Sequence, residues 1–515
     1  MVSVRFFALD RQCSVVRTSH FLKAMKRRSF LKIATASFAG VYLSQCSALR
    51  TTHQPLTTVI KSADGLLDFH LEAQDETVSL AGRQAKLMAY NGQVPAPRIE
   101  ARAGDTVQIR FTNWLSQPSN LHYHGLHVSP TGNADNPFLH VAPGEQIDYS
   151  FTLPDAHPAG LFWYHPHHHG HVAEQVAAGL AGLFVVRGEL DEIPEVKAAT
   201  EEFLVLQDFE LDAEGNILQP HPLWQMWGRE GTVLTVNGQL TPKFTLPDQG
   251  LVRLRLLNAS PSRIYRLQLE DHPFHLIATD GGALEEPVEL PELILAPGER
   301  ADVLVKGDRP PGEYALLSLP YDRGIGSMTA QMKADMDNDP QMAQMSKMMR
   351  SLRQLQTQPQ QLATVIYGDR TSSIPLPKKL GAIAPLPEAQ VQREFVLDHG
   401  MDIQNGAAFL INGKGFDPTR TDISTSLNQV EDWTIINAAG MDHPFHLHVH
   451  PFQVLSRNDK APPFLAWKDT VMVNAYERVK IRVKFADYPG KTVYHCHILD
   501  HEDKGMMGIC NVQSV

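Results

Sequence analysis

Cysteine is scarce: the 515 residues contain four, and Cys13 and Cys46 lie within the first 50. Cys496 and Cys510 alone give the body no disulfide framework, even in an oxidising compartment. Cys510, in the alternating run "GICNVQSV", reads as a buried strand residue, which leaves Cys496 to be explained. Long apolar runs are lacking too, since the apolar stretch within Met25–Cys46 is too short to span a bilayer. Clear helical periodicity is rare after the leader, which excludes an all-helical body. Positive charge is also in deficit. The net charge is −11, and the first 50 residues hold nine Lys or Arg against one Asp, so that their +8 leaves a body near −19. A body so acidic predicts no nucleic-acid partner and suits cationic substrates.

The leader "MKRRSFLKIATASFAGVYLSQC", Met25–Cys46, has a basic start, paired arginines and an apolar stretch. Arg27–Lys32 resembles the twin-arginine signal that exports folded proteins, which predicts a periplasmic or other extracytoplasmic location. Met25 is then an alternative start. "LSQC" offers Cys46 as a lipid-attachment cysteine and hence a membrane tether, although Gln45 is a poor residue before a modified cysteine.

A repeat fixes the expected architecture. "AGLFWYHPH" from Ala159, "PGEYALLSL" from Pro311 and "PGKTVYHCH" from Pro489 each place Gly second, before a strand. Matching strands follow "APGEQ" at Ala142, "APGER" at Ala296 and "AYERV" at Ala475, and strands ending in Asn113, Asn258 and Asn437 come earlier in each copy. The turn spacing predicts an all-β chain of three Greek-key β-sandwiches. The expected segments are a leader over 1–50, domains over 55–190, 195–322 and 391–515, and a Met/Gln-rich, partly helical insert and linker over 323–390 between the second and third domains.

The copies differ where chemistry would sit. Residues two apart on a strand share a face, so His-x-His aims two imidazoles at one point. The first copy has His122 with His124 and His165 with His167; the third has His446 with His448 and His495 with His497. The second copy has His275 with Ile277 and Leu317 with Leu319, so the pattern is erased there. His167 with His169 also satisfies the spacing, but the repeat alignment favours His165 with His167. Further histidines, His127, His168, His169, His171 and His450, read as supporting or surface groups. A closed zinc site needs four ligands and has no use for eight imidazoles. A Cys496 thiolate with His443, His501 and an axial thioether makes the ligand set of a blue-copper electron-transfer site. Met506 and Met507 compete for the axial place, with spacing after His501 favouring Met506. Cys496 faces one side of its strand while His495 and His497 face the other. One copper can thus be wired through the backbone to a cluster of others, and four one-electron centres match the four electrons that reduce dioxygen to water.

The motifs "HYHG", "WYHPHHHG", "HPFHLH" and "HCHILDHEDKGMM", in this order, resemble those of three-domain multicopper oxidases of the bacterial laccase and cuprous-oxidase kind. The resemblance covers the chain after the leader and implies cupredoxin-like domains with a three-copper cluster between the first and third. It implies that His122 and His446 hold a type 2 copper, that His124, His165, His167, His448, His495 and His497 hold two type 3 coppers, and that His443, Cys496, His501 and Met506 hold a type 1 copper. Dioxygen and small donors, Cu(I) or phenols, would be the partners, and since one chain supplies every ligand a monomer is expected.

Water formation consumes protons, so carboxylate relays are expected; Glu502 and Asp135 match such acids in similar oxidases. Met328, Met332 and Met336 recur every four residues, and soft thioethers favour Cu(I). With Met441 they form a candidate Cu(I) substrate site, from which the family's acidic residue is missing, because Ala439 stands there. A nitrite reductase would need fewer histidines. A copper-binding or division-associated relative without oxidase turnover is the main alternative, and some of those lack the ligands kept here.

Overall fold

The computed structural model describes residues 57–220, 225–323, 357–402 and 406–514. The export leader, Cys46 and Met328, Met332 and Met336 of the insert lie outside them. Six sheets pair into three cupredoxin-like β-sandwiches: sheets of five and four strands, then six and five, then six and five. The expectation of an all-β, three-sandwich chain is met, and the described residues form one compact unit. Each sandwich closes over its own apolar core, since alternate residues of facing strands point inward. Leu71, Ile109 and Phe111 meet Ile99, Phe162 and Phe184 in the first, and Phe395, Trp433, Phe445 and Tyr494 anchor the third.

Internal repetition is visible in the strand pairing. Leu66–Leu80 runs parallel to Thr106–Asn113, Thr200–Phe209 to Leu251–Asn258, and Val391–Asp402 to Val430–Asn437. The terminal asparagine of each second strand has one job in all three copies. Its amide nitrogen donates to carbonyls of the next loop and the following turn: Gln117 and Val141 from Asn113, Arg263 and Leu295 from Asn258, and Met441 and Val473 from Asn437. Its oxygen accepts the N–H two residues on, of Leu115, Ser260 or Ala439. This staple shapes the loop that delivers the next strand, which carries the paired histidines in the outer copies. The glutamates of the repeated turn, Glu145, Glu299 and Glu477, each accept a backbone N–H three residues back. Replacing Asn437 with Ala strips three carbonyls of a buried donor. We expect a loss of roughly 2–4 kcal/mol, read as a lower unfolding midpoint, and no recovery in Asn437→Asp, whose carboxylate still accepts the Ala439 N–H but cannot donate to these carbonyls.

Candidate metal centres

The outer sandwiches bring the paired histidines together. Strand His122–His124 pairs with Gly160–His165, setting His122 opposite His165, and His443–Leu447 pairs with Gly490–Cys496, setting His446 opposite His495. The His122 ring stacks on His448 at 3.7 Å and the His124 ring on His446 at 3.8 Å. Ligand atoms of His122, His446 and His448, of His122, His124 and His165, and of His167, His448 and His495 each lie within 4.8 Å of one another. The His497 ring joins from the side, 4.9 Å from that of His124. His169 instead faces Phe416, His168 meets His140, and His127 meets Asp487.

Burial makes these rings neutral, the form in which imidazole binds metals. It holds His122, His124, His165, His448 and His497 well below the ordinary histidine range, His446 at about 3, and His167 and His495 at about 4. Six of the rings keep a buried nitrogen without a hydrogen-bond partner: His122 Nε2, His124 Nδ1, His165 Nε2, His446 Nε2, His448 Nδ1 and both nitrogens of His497. Such orphans cost about 1–3 kcal/mol each if left bare. A cluster of converging neutral lone pairs fits bound metal ions, which remove that cost.

A second group lies in the core of the third sandwich. Atoms of His443, Cys496 and His501 come within 4.8 Å of one another, and all three residues are fully buried. Burial pushes the Cys496 thiol far up, so only a cation beside it makes a thiolate there. His443 Nδ1 has no partner. Met506 and Met507 part company at this point. Met506 packs in the same core as Cys496, whereas Met507 pairs with His495 across the strands and packs with Val493 and Ile509. A soft donor set of thiolate, imidazoles and thioether, one strand residue away from an imidazole cluster, fits copper.

Three multicopper oxidase sequence profiles match, over residues 72–191, 210–343 and 387–514. The chain belongs to the multicopper oxidase family. The oxidase is 30% identical over 458 residues to the multicopper oxidase mco of Staphylococcus aureus, covering 87% of this chain and 89% of that protein. It is also 30% identical over 502 residues to the cell division protein FtsP of Edwardsiella tarda, at 95% and 99% coverage. The solved multicopper oxidase of Campylobacter jejuni, described as a metallo-oxidase, superposes with TM-score 0.76 at 31% identity, covering 89% of this chain and 94% of that one. The oxidase is thus an oxidoreductase that carries four coppers of types 1, 2 and 3, takes electrons from small donors and passes them to dioxygen.

Carboxylates surround the oxidase's imidazole cluster. Asp135 Oδ1 lies 2.8 Å from His122 Nδ1 and accepts the Tyr123 N–H; burial pushes its carboxyl up to about 8, against that backbone bond. Glu502 reaches His495 Nδ1 at 3.0 Å and His167 Nε2 at 3.3 Å, and burial pushes its carboxyl up to about 7 while His167 pulls it down. Met441, by contrast, is 2% exposed within the third core.

Two residues of the oxidase escaped the sequence reading. His399 Nε2 sits 3.1 Å from His443 Nε2, so an exposed imidazole covers the outer edge of a buried one. It lies outside any His-x-His pair, but continues the inward row Phe395 and Leu397 of its strand, and that parity was the available signal. Asp469 Oδ1 lies 3.0 Å from His124 Nε2. Its neighbours Lys468 and Thr470 gave no hint of a metal-centre role.

Proposed function

We propose that His443, Cys496, His501 and Met506 would hold the type 1 copper. His122 and His446 hold the type 2 copper, and His124, His165, His167, His448, His495 and His497 hold the type 3 pair. The observation that carries this reading is the set of partnerless buried nitrogens shared between the first and third sandwiches. When bound, the coppers supply one-electron redox chemistry, storing four electrons for dioxygen.

The protein's own groups do the rest. The chain between Cys496 and its neighbours His495 and His497 is the shortest covalent link between the two centres. Glu502, in contact with two cluster imidazoles, delivers protons as water forms, and Asp135 orients His122 and is a second proton reserve. An open cavity of about 450 Å³, bordered by Phe138, His167, His168, His169, Phe416 and Lys491, gives dioxygen and water a route to His167.

Donors give up electrons at the His399–His443 edge, where an exposed imidazole meets a buried ligand. Cu(I) is the favoured donor class, because thioether-rich Met328, Met332 and Met336 suit a cuprous ion and a Campylobacter jejuni relative is described as a metallo-oxidase; phenols are the second class. Replacing His399 with Leu leaves the blue colour in place and removes one polar contact to His443. We expect donor oxidation to fall by up to about tenfold, measured as kcat/KM for Cu(I) and for a phenol separately. The protein acts as a monomer exported by the twin-arginine route, with a lipid tether at Cys46 as a variant of that reading.

Oxygen consumption with Cu(I) and with a phenol, for the full chain and for one lacking residues 328–349, tests the donor assignment. A selective loss of Cu(I) oxidation identifies a cuprous oxidase, and an unchanged rate leaves the broader laccase reading. The similarity to a division protein favours a second reading, a copper-binding protein without turnover. Four bound coppers per chain together with oxygen consumption exclude it.

A further inference from the structure

The second sandwich has lost every histidine pair, yet one of its side chains reaches the copper-binding region. Arg300 is 1% exposed and all five of its donor hydrogens find acceptors. Nε donates to the Leu161 carbonyl of the first sandwich at 3.0 Å. The terminal nitrogens donate to the Gly298 and Asp280 carbonyls of the second, at 3.0 and 2.9 Å, and to both carboxylate oxygens of Asp469 in the third, at 2.8 and 2.5 Å. One guanidinium therefore ties the three sandwiches at a single point. Asp469 is held low in the carboxylate range against its burial, chiefly by Arg300. The neighbouring Lys468 repeats the arrangement, reaching back to Asp280 at 2.9 Å and Glu299 at 3.1 Å.

Asp469 in turn meets the imidazoles. His124 Nε2 lies 3.0 Å from Asp469 Oδ1 and 3.1 Å from Thr470 Oγ1. His446 Nδ1 lies 2.8 Å from the Asp469 carbonyl and 3.1 Å from the same hydroxyl. Thr470 donates its own hydrogen to Asp469 Oδ1 at 2.9 Å, so its oxygen has lone pairs to offer the rings. Both rings must then carry their proton on the nitrogen facing Asp469 and Thr470. That leaves His124 Nδ1 and His446 Nε2 bare, and these are the two nitrogens of the rings that have no partner.

Space is tight around this point. A Cβ on Gly125, which has φ +87°, would fall 2.5 Å from Asp469 Oδ2 and closer still to Arg300. A Cβ on Gly298 would come 3.0 Å from the His124 and His497 rings, so the second sandwich presses its turn directly on the cluster.

We propose that Asp469 and Thr470 are positioning residues of the cluster, held in place by Arg300. Together they fix which nitrogen of His124 and of His446 is offered to copper, and the second sandwich thereby sets the geometry of a centre to which it gives no ligand. The inference rests on the ligand assignment proposed above. Fixing tautomer and ring orientation from behind a ligand is worth about 10- to 100-fold in metal affinity or activity at other metal sites.

Asp469→Asn in the full, copper-loaded chain tests it, beside Thr470→Val, which leaves the ion pair with Arg300 intact. Copper per chain, the type 1 visible absorbance and the type 2 electron paramagnetic resonance spectrum are read for each variant. The expected result is an unchanged type 1 absorbance, a shifted type 2 hyperfine pattern or copper lost from the cluster alone, and oxygen consumption reduced about 10- to 100-fold. If either folded variant keeps the unsubstituted type 2 spectrum and full cluster copper, the proposal fails, even where thermal stability has dropped. Should Asp469→Asn yield no folded protein, Thr470→Val decides alone by the same criterion. An unsubstituted chain that takes up fewer than four coppers instead overturns the ligand assignment itself.

Discussion

Replacing Cys496 with Ser is expected to abolish the blue absorbance and oxygen consumption together, while three of the four coppers stay bound. The thiol is fully buried in the third core, where its sulfur accepts the Ile498 N–H and lies beside His501 and His443. A serine oxygen there neither ionises nor supplies the soft thiolate that selects copper in such a site. The imidazole cluster keeps its rings because His495 and His497 point away from Cys496, on the other face of the strand. Turnover should fall by about 10³-fold or more, the scale of losing an essential group rather than a helper. Copper analysis against visible absorbance checks the expectation. Loss of all four coppers would mean that the two centres fold as one.

Glu502→Gln carries the second largest effect and the opposite signature. The side chain is fully buried between His495 and His167, with both carboxylate oxygens in reach of cluster imidazoles. Glutamine keeps the shape and loses the transferable proton. A positioned acid contributes about 10²- to 10⁴-fold to a proton-coupled step, so reoxidation of the reduced enzyme by dioxygen should slow by that order. Reduction by the donor should not change, because the Cys496 group is untouched. Stopped-flow recovery of the blue absorbance after mixing with dioxygen separates the two half-reactions. Unaltered reoxidation would remove Glu502 from the proton path.

The features that the sequence carried well are those with a fixed period or a local reason. His-x-His needs only strand alternation to place two rings on one face, and the terminal asparagines repeat because each must satisfy the same loop and turn carbonyls. Met506 and Met507 competed in the sequence, since both follow His501 closely; Met506 lies just before the last strand in the core of Cys496, whereas Met507 opens that strand and packs with Val493 and Ile509. His399 and Asp469 were not legible as metal-centre residues because their roles depend on neighbours 44 and 345 positions away in the chain. Arg300 lies in a stretch whose histidines are gone, so nothing local tied it to the metal centres. Long-range polar contacts of this kind leave no periodic trace, unlike an apolar face.

The position of the imidazole cluster across two sandwiches has a consequence for how the molecule acquires its metal. Ligands that begin at His122 and end at His497 cannot converge until both outer sandwiches have been made and have docked. A half-finished chain can therefore offer stray ions only isolated pairs of rings, not the finished trap. Once filled, the trap works as a clasp: every ion that prefers the docked form to the separated lobes adds its binding energy to their association. Removing copper should loosen the seam between the lobes before it disturbs any of the three cores, so that protease sensitivity appears first along that seam.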